Sequence, residues 1–361
     1  MKDAIEILKK INNSGFKAYI VGGYPRDLYL KRKTNDIDIC TSATPKDIKT
    51  IFKDALVKDS NYGSLTIIYK NKKYEITTFR KETNYFHYRF PKVEYISDLL
   101  KDLQRRDFTI NTLCIDEDKN TIDMLDGIKD LDNRIIRMVG DPKKRLKEDA
   151  LRILRAIRFA TILDFKIDES LDYYISEYAP LVKKLSYERK KSELDKIFAS
   201  KNKLYGVSLL KKYHLDEYLE IDLNNVVLST DIIGIWAQID KGKYKFNSNE
   251  MDTIKKLKEL KDKNIMDIEL LYRYGLYIAS LKASIDGISR NTITSLYNSL
   301  PIKSRSDIDI EIEDINKLLG KKSGPYLKGI IKDMEMEILH GRLVNEEKTI
   351  KEYILNKYKN I

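Results

Sequence analysis

The first ten residues, Met1-Lys-Asp-Ala-Ile-Glu-Ile-Leu-Lys-Lys, space their apolar side chains along one helical face. Short runs rich in Ile, Val, Thr and Tyr follow. They predict strands over Ala18–Val21, Ile37–Thr41, Ser64–Tyr69, Tyr74–Phe79, Leu113–Ile115 and Thr121–Asp123. Between them, Thr44-Pro45-Lys-Asp47 reads as a helix start, with Thr44 at the N-cap and Pro45 in the first helical position. After Gly140-Asp141-Pro142 only helical periodicity is expected, with few glycines or prolines before Ser323-Gly324-Pro325. The fold class expected is therefore α+β: a compact head over residues 1–138, then a long helical remainder without repeats or a low-complexity linker.

Composition narrows the class. A chain of 361 residues has room for two or more domains. No apolar run approaches the roughly 18 residues of a membrane span, and the start lacks the apolar core of a signal peptide, so a cytoplasmic address is expected. Cys40 and Cys114, the two cysteines, are too few for a disulfide framework and are expected to be buried thiols. The net charge of +11 suits a polyanionic partner, and a lysine-rich composition accounts for it equally well. The 24 tyrosines can stack on bases, although their helical spacing favours packing.

The candidate chemistry starts at Gly22-Gly23-Tyr-Pro-Arg26-Asp27, followed by Asp36-Ile-Asp38. Two acids at i and i+2 of a strand project from one face and can grip divalent cations. Paired glycines expose backbone N–H groups to a phosphate with no Cβ in the way. Together they describe a nucleoside triphosphate held on Mg²⁺ by Asp36 and Asp38, with Arg26 forking onto phosphate oxygens and Asp27 as its orienting partner. Glu75 alternates with Tyr74 and Ile76. It is either a third catalytic carboxylate or a solvent-facing residue of a half-exposed strand.

Two further clusters carry recognition. In Arg105-Arg106-Asp107-Phe-Thr-Ile-Asn111, Arg106 and Asp107 are read as contacts to sugar and phosphates, or else as a solvated helix end. In Glu148-Asp149-Ala-Leu-Arg152-Ile-Leu-Arg155-Ala-Ile-Arg158, Asp149 and Arg152 stand three apart on one helical face, and Arg155 and Arg158 continue the row. The plain reading is an i,i+3 salt bridge. The functional one is a protein template, with Asp149 accepting from the amino group of cytosine or adenine and Arg152 donating to a ring acceptor.

In order, these three elements resemble the motifs of class II tRNA nucleotidyltransferases and the related bacterial poly(A) polymerases. Asp126-Gly127…Asp130-Leu131, Arg137-Met-Val-Gly140 and Ser186-Tyr-Glu188-Arg189…Glu193 match as well. Leu300-Pro-Ile-Lys-Ser-Arg305 and Gly320-Lys-Lys-Ser-Gly324-Pro325 resemble the tail of the bacterial CCA-adding type.

The resemblance implies a polymerase-β-like head with a mixed β-sheet over 1–138, a helical neck over 139–200, a body over 201–295 and a tail over 296–361. It implies Mg²⁺ on Asp36 and Asp38, triphosphate contacts from Gly23 and Arg26, and a nucleotide contact from Arg106; Gly22 and Asp107 are nucleotide-binding candidates from the local pattern. It makes Asp149 and Arg152 the base-reading pair, with Arg155 and Arg158 extending the nucleotide site. The activity implied is addition of C, C and A to the 3′ end of tRNA from CTP and ATP, with the acceptor arm bound by the helical part. Alternatives are a poly(A) polymerase, an A-adding enzyme of a split system, and a non-catalytic RNA-binding relative. The chain departs from the family pattern at Pro25, at Thr112 and at His87, the last within the family's flexible loop at 83–91. With histidine only at 87, 214 and 340, no His-Asp pair signals an appended phosphohydrolase. Lys183-Lys184, Arg189-Lys190-Lys191 and Lys321-Lys322 are candidate RNA contacts or solvated helix faces. Monomer and homodimer both stay open.

Overall fold

A computed structural model describes residues 1–34, 36–53, 56–59, 63–86 and 90–358. These gather into two compact units, Met1–Leu223 and Asn224–Ile361.

In the first unit, α1 (Lys2–Asn13) leads into β1 (Ala18–Val21), α2 (Gly23–Tyr29), β2 (Asp38–Thr41) and α3 (Pro45–Ile51). Strands β3 (Leu56–Asp59), β4 (Ser64–Tyr69), β5 (Lys72–Thr78), β6 (Arg80–Phe86) and β7 (Phe90–Tyr95) precede α4 (Leu99–Gln104). Then come β8 (Cys114–Ile115), β9 (Thr121–Ile122), α5 (Gly127–Asp132) and β10 (Ile135–Ile136). The helical part of this unit holds α6 (Pro142–Glu148), α7 (Leu151–Leu163), β11 (Lys166–Ile167), α8 (Glu169–Tyr178), α9 (Tyr187–Phe198), α10 (Lys203–Lys212) and α11 (Leu215–Leu219).

Seven strands form one sheet in the order β3-β4-β5-β2-β1-β8-β9. The β2–β5 pair is parallel and the others are antiparallel, so the sheet is mixed. Side chains alternate across it. Ile20, Ile39 and Ile76 pack with Ile7, Leu8 and Ile11 of α1 and Ile48 of α3, all buried. Val21, Cys40 and Cys114 turn to the other face, against Leu99 and Leu103 of α4. Each such aliphatic side chain contributes about 1.5–3 kcal/mol when withdrawn from water. Both cysteines are free and buried, and Thr44 caps α3 in a reciprocal capping box with Asp47.

Three expectations are corrected. Strand β2 starts at Asp38, so Asp36 precedes it instead of standing on it. The segment expected as a flexible loop contains a two-stranded antiparallel ribbon, β6–β7, because its Thr, Tyr, Phe and Val residues suit strands; His87 lies outside the described residues. The stretch after Pro142 is not purely helical. Asp164, in the left-handed region at φ 60°, ends α7, and the Lys166 N–H reaches the Arg134 carbonyl at 2.9 Å. That contact sets β11 parallel to β10. The strand β3 was also absent from the sequence reading.

The second unit is helical among its described residues: α12 (Ile232–Ile239), α13 (Ser248–Glu259), α14 (Ile268–Ile285), α15 (Arg290–Asn298), α16 (Ile312–Leu319), α17 (Tyr326–Leu339) and α18 (Glu347–Tyr358). Trp236 is fully buried, with the rings of Tyr244 and Phe246 at 4.7 and 5.5 Å. Among the described residues, no helix is long and apolar enough to cross a membrane.

Candidate active site

The floor of the site is the turn from β1 into α2. Gly22 has φ 81° and ψ −128°, a left-handed backbone that a side chain resists. A Cβ there would stand 3.2 Å from Asp38 Oδ2. A side chain there would be strained at this φ and would press the carboxylate aside by a few tenths of an ångström. Pro25 falls in the first turn of α2, where its missing N–H removes no helical hydrogen bond.

Asp38 opens β2 opposite Val21 on one side and Glu75 on the other. Since Ile39 and Ile76 face α1, the alternation turns Asp38 and Glu75 to the opposite face together. Although its side chain reaches solvent, the surrounding protein withdraws enough water to push the Asp38 carboxyl above its ordinary pKa. Glu75 and Asp36 push the same way, and Arg106 opposes them. Among the described residues, no three His, Cys, Asp or Glu side chains are gathered closely enough to form a metal cluster. The donor set nonetheless suits a hard divalent cation: carboxylate oxygens whose mutual repulsion a cation relieves.

The wall is a lattice of arginines. Arg26 donates to both Asp27 oxygens at 3.0 Å and to Asn111 Oδ1 at 2.6 Å. Asn111 in turn donates to Asp107 Oδ1 at 3.0 Å. That oxygen also takes the Phe108 N–H, while Asp107 Oδ2 accepts from Arg155 Nε at 2.7 Å and from Arg155 Nη2. Burial alone would raise the Asp107 carboxyl. Arg155, Asn111 and the Phe108 amide hold it well below the usual carboxylate range. With two donors on each oxygen, Asp107 is engaged by protein groups while it lines the cleft.

Arg106 donates to Asp102 Oδ2 at 3.2 Å, and Arg105 donates to Asp102 Oδ1 at 2.8 Å. Burial disfavours the Arg106 charge, yet its pKa is raised overall, with Asp102 the foremost of the groups that favour the charged form. Arg145 on α6 ties the same segment down by donating to the Arg105 and Arg106 carbonyls.

Asp149 and Arg152 do not share a helix. Asp149 is extended, at φ −145° and ψ 100°, in the break between α6 and α7. Its Oδ1 accepts the Leu151 N–H at 3.0 Å. Arg152 enters α7 and donates to the Arg145 carbonyl at 2.6 Å and to Glu148 at 3.3 Å. The break frees Asp149 from the helical i,i+3 geometry, and both residues face one open cleft of about 420 Å³. Gly22, Gly23, Arg26, Asp38, Arg105, Arg106, Asp107, Asn111, Arg155 and Phe159 line it too. Arg158 does not; it lies over the Phe159 ring at 4.2 Å and beside Glu193 of α9. Burial and Arg155 lower the Arg158 pKa to about 10.

The cleft thus carries the Asp38 carboxylate beside the glycine turn, cations along the wall, and an acid with an arginine at the helix break; Asp36 and Glu75 are not among its lining residues. Asp102, Asn111, Arg145 and Phe159 were missed as individual site residues. Asp102 had a signal: three and four residues before Arg105 and Arg106, it stands on their side of a helix.

Residues 18–137 match the model of the poly A polymerase head domain. Residues 164–223 match a probable RNA- and SrmB-binding site of polymerase A, and 242–354 a putative second domain of tRNA nucleotidyltransferases. The CCA-adding enzyme of Staphylococcus epidermidis is 32% identical over 98% of this chain and 97% of its own. The chain belongs to the CCA-adding enzyme family. The CCA-adding enzyme of Ligilactobacillus salivarius is 35% identical over 97% of this chain and 95% of its own. The crystal structure of the Bacillus stearothermophilus CCA-adding enzyme in complex with CTP superposes with a TM-score of 0.86, at 28% identity, covering 99% of this chain and 97% of that one. As a member of the CCA-adding family, the chain is a nucleotidyltransferase with the family's α+β architecture, a mixed-sheet head followed by helices.

Proposed function

We propose that the chain adds C, C and A to the 3′ end of tRNA from CTP and ATP, without a nucleic-acid template and with Mg²⁺. One observation carries this reading beyond nucleotidyl transfer in general: Asp149 and Arg152, a hydrogen-bond acceptor and a donor, face the same cleft as Asp38, at a break between two helices. Asp36, Asp38 and Glu75 would hold Mg²⁺, which supplies charge neutralisation on the triphosphate and activation of the attacking 3′-hydroxyl. The Gly22–Gly23 turn lets the phosphates approach the backbone, and Arg26 contributes positive charge while Asp27 and Asn111 fix its plane. Arg106 faces the sugar and phosphates. Asp107 acts by orienting Arg155 and Asn111, and Arg158 by buttressing α7 against α9.

Base choice follows from hydrogen-bond polarity. On the Watson–Crick edge, Asp149 accepts an exocyclic amino proton and Arg152 donates to the adjacent unprotonated ring nitrogen, an arrangement that cytosine and adenine present; uracil lacks the amino group, and guanine carries N1–H beside its own. A bidentate contact of this kind discriminates by about 1–3 kcal/mol. Segments 139–200, 201–295 and 296–361 serve as neck, body and tail, with the helical part holding the acceptor arm by phosphates and A-form shape. The place of action is the cytoplasm.

The test is direct. Purified protein with Mg²⁺, tRNA ending before CCA, and labelled CTP and ATP extends by C, C and A and stops. Unlimited A addition to generic RNA would make it a poly(A) polymerase. A addition only onto a CC end would make it half of a split system, and no incorporation would leave an RNA-binding relative.

A further inference from the structure

Behind the cleft lies a carboxylate that the reaction does not use directly. Asp102, on α4, is fully buried. Its Oδ1 accepts from Arg105 Nε at 2.8 Å and from the Arg80 N–H at 3.1 Å, and its Oδ2 from Arg106 Nη2 at 3.2 Å. Arg80 is the first residue of the β6–β7 ribbon. Two residues along the ribbon, Glu82 accepts from Arg80 Nε at 2.8 Å and from Arg105 Nη1 at 3.2 Å. The Arg105 guanidinium is therefore held from both sides, by α4 through Asp102 and by the ribbon through Glu82. Arg105 and Arg106 both line the nucleotide cleft.

A buried charge is retained at a desolvation cost and stays in place only where its partners are well aligned. Here the aligned partners are two cleft arginines and the root of the ribbon. A rigid fork pinned at two of its nitrogens transmits a shift of either neighbour, because its planar N–H donors cannot re-aim independently.

We propose that Asp102 and Glu82 are positioning residues that couple the β6–β7 ribbon to the nucleotide-facing arginines, so that the ribbon sets the affinity of the cleft for the incoming nucleotide. The proposal deepens the nucleotidyl-transfer reading and rests on it. Movement of the ribbon re-aims Arg105 through Glu82, and Asp102 hands the change to Arg106.

The experiment compares wild type, E82Q, D102N and the double variant in the full chain. Mg²⁺–CTP and Mg²⁺–ATP binding are measured by titration calorimetry without tRNA, and KM and kcat are measured by C and A addition. E82Q leaves the buried acid untouched and removes only the ribbon's charge. It is expected to weaken nucleotide binding and raise nucleotide KM by about 3- to 10-fold, with tRNA KM unchanged and the melting temperature lowered, since Glu82 is paired with two arginines. D102N is expected to weaken binding by 10-fold or more, and the double variant by less than the product of the two. D102E is expected to recover part of the loss. Wild-type nucleotide affinity and KM in folded E82Q overturn the coupling, as does strict multiplicativity of the two variants. Should D102N not fold, E82Q and D102E decide the matter alone. Calorimetry reads the positioning without turnover. Wild type that binds Mg²⁺–CTP but does not extend tRNA would sink the nucleotidyl-transfer reading and leave the coupling measurable.

Discussion

Asp38 and Glu75 are lateral partners on the parallel strands β2 and β5, turned to the same face of the sheet. Nothing near them in sequence pairs these carboxylates. The register of two strands separated by β3 and β4 does so. Their proximity raises the Asp38 pKa after burial has already done so, which makes the site an electrostatic strain that a divalent cation relieves.

The first prediction uses that strain. A folded-state pKa above the unfolded value means that ionised Asp38 costs stability above the unfolded pKa of about 3.9. D38N is therefore expected to raise the melting temperature of metal-free protein at pH 7 while lowering nucleotide addition by about 10³-fold or more. Mg²⁺ should raise the melting temperature of wild type and leave D38N unmoved. Differential scanning calorimetry with and without a chelator checks both; a destabilised D38N would contradict the reading.

Asp107 behaves in the opposite way. Its folded pKa is depressed, so its contribution is present above about pH 3.9 and is lost as pH falls through the folded value. D107N is expected to cost about 3 kcal/mol at pH 7, by removing the charge opposite Arg155 and turning one of the two acceptor oxygens into a donor that faces donors. The gap between wild type and D107N should narrow as pH falls below about 4. Denaturant melts at pH 7 and at low pH would show the convergence, and a pH-independent gap would rule it out.

Gly22 supplies a backbone test. G22A places a side chain at positive φ, at a cost of about 1–2 kcal/mol, and crowds Asp38 Oδ2 at 3.2 Å. Activity is expected to fall more than stability, because the displaced group is a carboxylate of the site. A variant with wild-type kcat would mean that the turn tolerates a Cβ.

Arg152 tests the template. R152A removes the donor while Asp149 stays anchored by the Leu151 N–H. Discrimination of CTP and ATP against UTP and GTP should drop by roughly 10- to 100-fold. Unchanged rejection of UTP and GTP in single-turnover assays would remove Arg152 from base reading.

Most of the elements could be read locally. The strand at Ala18–Val21, the cap at Thr44 and the glycine turn at Gly22-Gly23 all follow from neighbours within a few residues. Strand β11 was not legible, since two residues carry no periodicity and their pairing depends on Arg134, far back in the chain. Helical spacing also misled. It put Asp149, Arg152, Arg155 and Arg158 in one row on one helix, whereas Asp149 reaches the cleft from the break before α7 and Arg158 turns away from it toward Glu193.

Residue types and short spacings were thus enough to identify a head with a glycine turn and two aspartates, a helical remainder, and the groups able to bind a triphosphate. They could not say which carboxylate stands beside Asp38, which one is filled by protein donors, or which one underlies Arg105 and Arg106. Those answers depend on strand register and on desolvation. Both arise from contacts between residues tens of positions apart, and neither leaves a periodic trace in the chain.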